Sequence, residues 1–363
     1  MKQGKSLSAL AAELERIQTS KRDFSTPVTA LKAVVIPDAY NKEGYQERVG
    51  IEIEGVGEFK IDGWAASQVA TYTDIPKQYF DRISKENPNL LAKSINHGLS
   101  FGKNDEKRLV RTIDGDVRGF LSNRYRMLDS YDLMETVLPT LLDKGFEVMS
   151  SEITDKRLYL KAATAKVEGE VKPGDVVRYG VMISNSDVGA GSLKIEPFLT
   201  RLVCMNGMLG ESSFKRAHLG GARLEDHVQE LLTDSTRALN DKAFFATVRD
   251  YLLATMQPKI FEAEMNKIRL SVNEPIRNVS DLDQVVELSM TATGVRGEGV
   301  KKGILAALAT GNEGAGLTKW GLVNSFTRAA QAEELDYETA TDLERAGGAI
   351  LTLSEKDWKR ISA

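Results

Sequence analysis

Arg118, Arg124, Tyr125 and Arg126 fall within nine residues and interleave cations with an aromatic ring. The same mixture recurs at Arg178-Tyr179, from Lys194 to Arg201 around Phe198, and at Lys215-Arg216. Cationic side chains neutralise phosphates and an aromatic face stacks an unpaired base. Together they form the chemistry by which proteins hold single strands without reading their sequence. On that chemistry Lys107, Arg108, Arg111, Arg118, Arg124, Arg126, Lys194, Arg201, Lys215 and Arg216 are candidate backbone contacts, and Tyr125 is the candidate stacking residue. Tyr179 lies on the apolar face of its segment and is better explained as core, a reading that Phe198 also allows.

Other chemistries fit less well. The cluster Gly294-Val295-Arg296-Gly297-Glu298-Gly299-Val300-Lys301-Lys302-Gly303 is glycine-rich, but it lacks the Gly-Lys-Ser/Thr ending of a phosphate-binding loop. Joints between short helices explain it, and no ATP-driven activity is expected. His97, His218 and His227 share no metal-ligand spacing with one another or with Cys204. Cys204 sits in an apolar run, where an inert buried thiol is the default. No nucleophile elbow is present. One enzymatic pattern stands out: Asp38 followed by Glu58-Phe59-Lys60, with Glu13 or Glu15 upstream, echoes an Asp…Glu-x-Lys nuclease arrangement. There two carboxylates hold a divalent metal and lysine positions the attacking water. A strand alternating glutamate with apolar residues produces the same pattern by chance.

The chain has 363 residues, with 48 Lys and Arg against 52 Asp and Glu, for a net charge of −4. An anionic partner therefore requires segregated charge. Segregation is present: Phe101 to Leu128 holds seven basic against four acidic residues, and Leu193 to Arg223 five against two. Glu333, Glu334, Asp336, Glu338, Asp342 and Glu344 make the stretch from Gln331 to Glu344 acidic. The single cysteine excludes an intramolecular disulfide. No apolar run reaches the ~18 residues of a membrane helix, and the N-terminus lacks the apolar stretch of a signal peptide, so a cytoplasmic protein without membrane contact is expected.

The elements that would position these residues are legible in the hydrophobic periodicity. Residues 1–25 form an amphipathic segment, with Leu7, Leu10, Leu14 and Ile17 at helical spacing, expected to be loosely held or to meet a partner. Strands are predicted around Ile51–Ile53 and Phe59–Ile61, and helices over 64–100 broken at Pro76 and Pro88. Asp114-Gly115 predicts a two-residue hairpin turn within Lys107–Ser122. That register sets Arg111 directly opposite Arg118, a like-charge pair that costs up to about 1 kcal/mol unless Asp116 or a bound anion neutralises it. A helix over 131–144 ends at Gly145, strands follow at 158–160 and 192–195, and residues 177–184 alternate as a half-buried strand. From Leu224 the period becomes helical, through Val228, Leu231, Leu239, Phe245, Val248 and Leu252, with a break at Pro258. The expected fold class is α+β: a hairpin-rich antiparallel sheet packed with helices over 26–223, then a helical region over 224–363.

Four stretches together resemble the family of phage- and plasmid-borne proteins known as phage/plasmid-like proteins, which carry a domain of unknown function. They are Gln68 with Ile75-Pro76-Lys77-Gln78-Tyr79 and Asn96; Gly119-Phe120-Leu121-Ser122-Asn123-Arg124-Tyr125-Arg126-Met127-Leu128-Asp129; Arg201-Leu202-Val203-Cys204-Met205-Asn206-Gly207-Met208 with His218; and Trp320-Gly321-Leu322-Val323-Asn324-Ser325-Phe326-Thr327. The resemblance covers roughly residues 60–345 and implies a mobile-element setting in a bacterial cell, with no fixed activity. A looser, fold-level similarity to single-strand annealing recombinases implies oligomers on single-stranded DNA. The expectation is thus a non-catalytic, cofactor-free, homo-oligomeric single-strand binder that promotes annealing. Its alternatives are an interaction factor that binds a host defence protein, and the metal-dependent nuclease built on Asp38, Glu58 and Lys60.

Overall fold

Period-2 alternation and period-3.6 stripes translate into two sheets, each with its own layer of helices. A computed structural model describes residues 2–37, 47–102, 106–203, 205–210, 214–216, 234–311 and 315–363. The fold class is α+β, as expected. The first sheet comprises β1 (Arg22–Pro27), β2 (Leu31–Pro37), β3 (Glu47–Ile53), β4 (Gly57–Ile61), β5 (Lys107–Ile113) and β6 (Asp116–Ser122), in the spatial order β1-β5-β6-β4-β3-β2. Its pairs are antiparallel except β4 with β6, which run parallel. α1 (Leu7–Ser20) precedes it, and α2 (Gly63–Tyr72), α3 (Lys77–Glu86) and α4 (Pro88–Leu99) cover one face. The helix breaks fall beside the two prolines. α2 ends at Tyr72, before Asp74 at φ 55°, Pro76 immediately precedes α3, and Pro88 takes the first position of α4, where its missing N–H is not needed. The Asn87 carboxamide caps α4 by accepting from the Leu90 N–H at 3.0 Å.

The second sheet comprises β7 (Glu147–Ile153), β8 (Leu158–Glu170), β9 (Val176–Asn185), β10 (Leu193–Arg201) and β11 (Asn206–Leu209), in the order β11-β10-β9-β8-β7, with β12 (Phe214–Arg216) also pairing with β10. α5 (Ser130–Asp143) precedes it, ending before Gly145 at φ 76°. After it come α6 (Asp234–Thr255), α7 (Pro258–Ser271), α8 (Leu282–Thr293), α9 (Glu298–Ala309), α10 (Lys319–Ala329), α11 (Tyr337–Leu351) and α12 (Glu355–Ser362). The glycine cluster is a helix joint: Gly294, left-handed at φ 74°, closes α8, and Gly297 precedes α9. None of the described helices is long and apolar enough to cross a membrane.

Several expectations change. The N-terminal segment is not loosely held. Leu10 and Leu14 are buried in the second core, and the Lys5 N–H donates to the Ser151 carbonyl at 2.6 Å. The stretch 26–223 contains two sheets with separate hydrophobic cores, and helices from α6 onward close the second core together with α1 and α5. β9 is buried on both faces, because its alternate residues Gly180, Met182 and Ser184 are small or soft enough to pack under α11. Trp320 and Phe326 are buried packing residues. The acidic stretch is engaged within the chain. Most of it lies in α11, whose carboxylates meet this chain's own cations: Glu344 with Lys161, Glu338 with Arg157 and Lys156, and Asp342 with Arg345. Leu224, Val228, Leu231, Cys204, His218 and His227 lie outside the described residues.

Candidate nucleic-acid interface

The hairpin forms at Asp114-Gly115, with φ 51° and 88°. Its register departs from the expected one. Ile113 and Thr112 oppose Asp116 and Val117, but beyond a bulge Arg111 opposes Gly119, leaving Arg118 out of the ladder. The extra residue removes the direct like-charge pairing. Asp116 is not what neutralises Arg111, which is buried and meets other carboxylates. Its Nε and Nη2 donate to the two Asp23 carboxylate oxygens at 2.8 Å each, Nη1 lies 2.8 Å from Asp129 Oδ1, and Nη1 donates to the Asp187 carbonyl at 2.7 Å. Burial opposes the guanidinium charge, but Asp23 and Asp129 more than offset it, and the pKa is raised. Burial alone would raise Asp129; Arg111 and Lys21 instead hold it well below the usual carboxylate range.

Arg118 lies beside the same junction. Its Nη1 sits 3.7 Å from Asp187 Oδ2, while its Nε and Nη2 are buried without a hydrogen-bond partner. Burial, then the charge of Arg111, lowers its pKa. Burial, then Asp129, raises Asp187, whose Oδ1 accepts from the Ser130 N–H and hydroxyl at 2.9 and 2.6 Å. The loop after β9 is pinned to the first sheet's helices here, since the Val188 carbonyl accepts from Trp64 Nε1 at 2.9 Å and Gln68 Nε2 at 2.8 Å. Gln68 also accepts from the Phe120 N–H. Tyr125 belongs to this junction rather than to an open face. Its hydroxyl donates to the Ser186 carbonyl at 2.7 Å and accepts from the Gly189 N–H.

Two further candidates are likewise structural. Arg201 is buried against Asp175, with Nε–Oδ1 2.5 Å and Nη2–Oδ2 3.0 Å, and reaches Asn324. Arg126 lies across the Phe244 ring at 4.9 Å and pairs with Asp241 on α6 at 2.7 Å. Arg111, Arg201 and Arg126 thus hold elements together, and Arg111 and Arg201 are too buried to touch a phosphate backbone. Lys194 is half-buried, and the β10–β12 register places Lys215 opposite it and Arg216 opposite Leu193. Of the nuclease pattern, Glu58 and Lys60 lie on β4, while Asp38 is outside the described residues.

The remaining three candidates converge. Lys107 begins β5, Arg108 follows it opposite Ser122, and Arg124 lies two residues past β6, so all three sit at one end of the hairpin. Lys107 and Arg124 are exposed. Arg108 is tucked in, with its guanidinium carbon 4.5 Å from the Tyr72 ring centroid and 4.9 Å from that of Phe120; burial lowers its pKa. β1 continues the strip, with Pro27 opposite Lys107 and the Ser25 hydroxyl donating to Asn123 at 2.6 Å. In the other direction lies Gly102, where a Cβ would come 2.8 Å from Val28 and 3.0 Å from the Tyr72 hydroxyl. Next to it opens a groove of about 620 Å³ lined by Ile75, Tyr79, Lys93, His97 and Phe101 among others.

Sequence reasoning passed over the aromatic half of this strip. Tyr79 was visible only as part of the Ile75–Tyr79 motif, and the four-residue spacing of His97 and Phe101 on α4 was the other available signal. The remaining stretches quoted for the resemblance mostly make internal contacts. Asn96 donates to the Ala33 carbonyl and accepts from the Ala33 N–H on β2, and Asn206 meets Gln331.

Neither the curated proteins nor the solved structures gave a match to this chain. Residues 117–347, more than half of its length and including nearly all of the hairpin's second strand, Arg118, Asp129 and Asp187 of the polar junction, and the whole second sheet, match one family, so the chain belongs to the family described as Domain of unknown function (DUF932).

Proposed function

We propose that this is a single-stranded DNA-binding protein of phage or plasmid origin that acts in the bacterial cytoplasm as a homo-oligomer and promotes strand annealing. The observation that carries the reading is the gathering of Lys107, Arg108 and Arg124 at one end of the hairpin, beside a groove with three aromatic side chains. The ammonium of Lys107 and the guanidinium of Arg124 contact phosphates. Arg108, half-buried on Tyr72, adds to the local field rather than making a contact. Annealing needs neutralised phosphates and accessible bases, and no nucleotide hydrolysis.

Titrating the protein against a labelled single strand and its duplex across a salt series, first in EDTA and then in magnesium, tests this. Salt-sensitive binding that favours the single strand, with intact DNA in magnesium, is the expected result. No binding at low salt overturns the reading, and cleavage only in magnesium transfers it to Glu58 and Lys60. The combination Lys107→Ala with Arg124→Ala should flatten the slope of log affinity against log salt by about 1.4, two single-strand phosphate contacts. An unchanged slope removes both residues from the interface.

A further inference from the structure

We infer that the groove between the end of α2, the start of α3 and the last turns of α4 is a stacking site for an unpaired nucleobase of the strand lying along Lys107 and Arg124. The inference rests on the proposed binding of single-stranded DNA and adds the part of the ligand that a cationic strip cannot recognise. Phe101 is 75% exposed and Tyr79 36% exposed, although the core that would bury them lies directly beneath α3 and α4. Two large exposed aromatic side chains lining one groove mark a surface built to be covered. The rings are already ordered: His97 meets Phe101 edge to face, 80° between planes and 4.8 Å between centroids, and the Arg82 guanidinium lies 5.7 Å from the Tyr79 centroid.

The wall of the groove is fixed by a close approach. At Gly98 a Cβ would stand 2.5 Å from the Thr73 Cβ, so only glycine lets α4 lie this near the end of α2. The floor includes Ile75 and Pro76, and the volume, about 620 Å³, is of the size that holds a small planar ligand. The cationic strip selects the occupant. Among the described residues the lining's own charges, exposed Lys93 and Asp74, balance, and the strip through Tyr72, Arg108 and Lys107 runs from the rim. Aromatic faces beside cations fit a base attached to a phosphodiester, since the ring takes the base and the cation the phosphate.

The test is a fluorescence-anisotropy titration of the full chain with an oligothymidylate and with an abasic oligonucleotide of the same length, which keeps every phosphate and lacks the bases. Wild-type protein is expected to bind the oligothymidylate about 10-fold more tightly or better, the range of one or two stacked bases. Phe101→Ala and Tyr79→Ala, both exposed and so compatible with folding, should each shrink that ratio toward 1 while the salt slope stays as in wild type. Equal wild-type affinity for the two oligonucleotides overturns the stacking site and leaves the cationic strip standing. A full ratio surviving in both variants gives the groove to another occupant, such as a protein segment, and also overturns the inference. Binding to neither oligonucleotide overturns the strip and the groove together.

Discussion

Glu344→Leu should lower the free energy of unfolding by about 3–5 kcal/mol, and adding Lys161→Met should return most of it. Lys161 and Glu344 are both fully buried, Nζ 2.5 Å from Oε2, between the second sheet and α11. Lys161 Nζ also lies 4.8 Å from the Tyr337 ring centroid. Removing the carboxylate leaves a fully buried ammonium without its counter-charge. Removing both charges leaves a well-shaped hydrophobic pair, which in such settings is neutral or stabilising. The surroundings sharpen the expectation. The hydroxyls of Tyr159, Ser184, Thr200 and Thr341 are buried on the same faces without hydrogen-bond partners, so none of them is already committed to either charge. Urea denaturation of the two single variants and the double variant, with m checked for constancy, measures the coupling. A single-variant cost below 1 kcal/mol would mean that these orphaned groups and the ion pair share ordered water.

Arg111→Met should be equally damaging, by about 3–5 kcal/mol at neutral pH, and the damage should shrink on acidification. Arg111 is the only arginine that reaches both Asp23 and Asp129 among the described residues, and without it Asp129 keeps Lys21 alone. The sign follows from linkage. In the wild type Asp129 is held below its unfolded pKa, so its contribution is present above the unfolded value, near 4, and fades only as pH falls through the depressed folded value. In the variant only Lys21 is left to oppose burial, so the folded pKa of Asp129 rises relative to wild type. The variant's folded state then binds more protons than the wild type's at a given pH, and the gap in stability narrows as pH falls toward 4. Thermal melts of wild type and variant between pH 4 and 7 should therefore converge at the acid end. Parallel curves would mean that the carboxylates escape to solvent when the guanidinium is removed.

How much of this was legible in the sequence depends on how far apart the partners are along the chain. The Asp114-Gly115 turn, the proline breaks at 76 and 88 and the stop at Gly145 are local, and each appears where the residues put it. The bulge at Arg118 is not local. It leaves Arg118 beside Asp187, a partner far along the chain in the loop after β9. The sequence marks the arginines as candidate phosphate contacts, but it does not show that the counter-charges of the buried ones come from afar. Arg111 finds Asp23 across 88 residues and Arg201 finds Asp175 across 26, so a cation in an apolar strand read as an exposed binder when it was a buried anchor. Lys161 escaped notice for the converse reason. One lysine between apolar neighbours looks like ordinary alternation until α11 covers the face it occupies. The aromatic groove needed the fold to bring α2, α3 and α4 together.

The parallel pairing of β4 with β6 has a consequence for the order in which the first sheet assembles. β5 and β6 close on each other through two residues, and β3 and β4 through a bend at Gly55, so both hairpins can form early by local search. Joining them is different: β4 meets β6 only after α2, α3 and α4 have been folded back between them, and β1 adds to β5 across an even longer excursion. Loop-closure entropy must be met before either contact gives a return. The end of the hairpin that carries Lys107 and Arg108 therefore exists as a ribbon before it is set beside the groove formed by α2, α3 and α4.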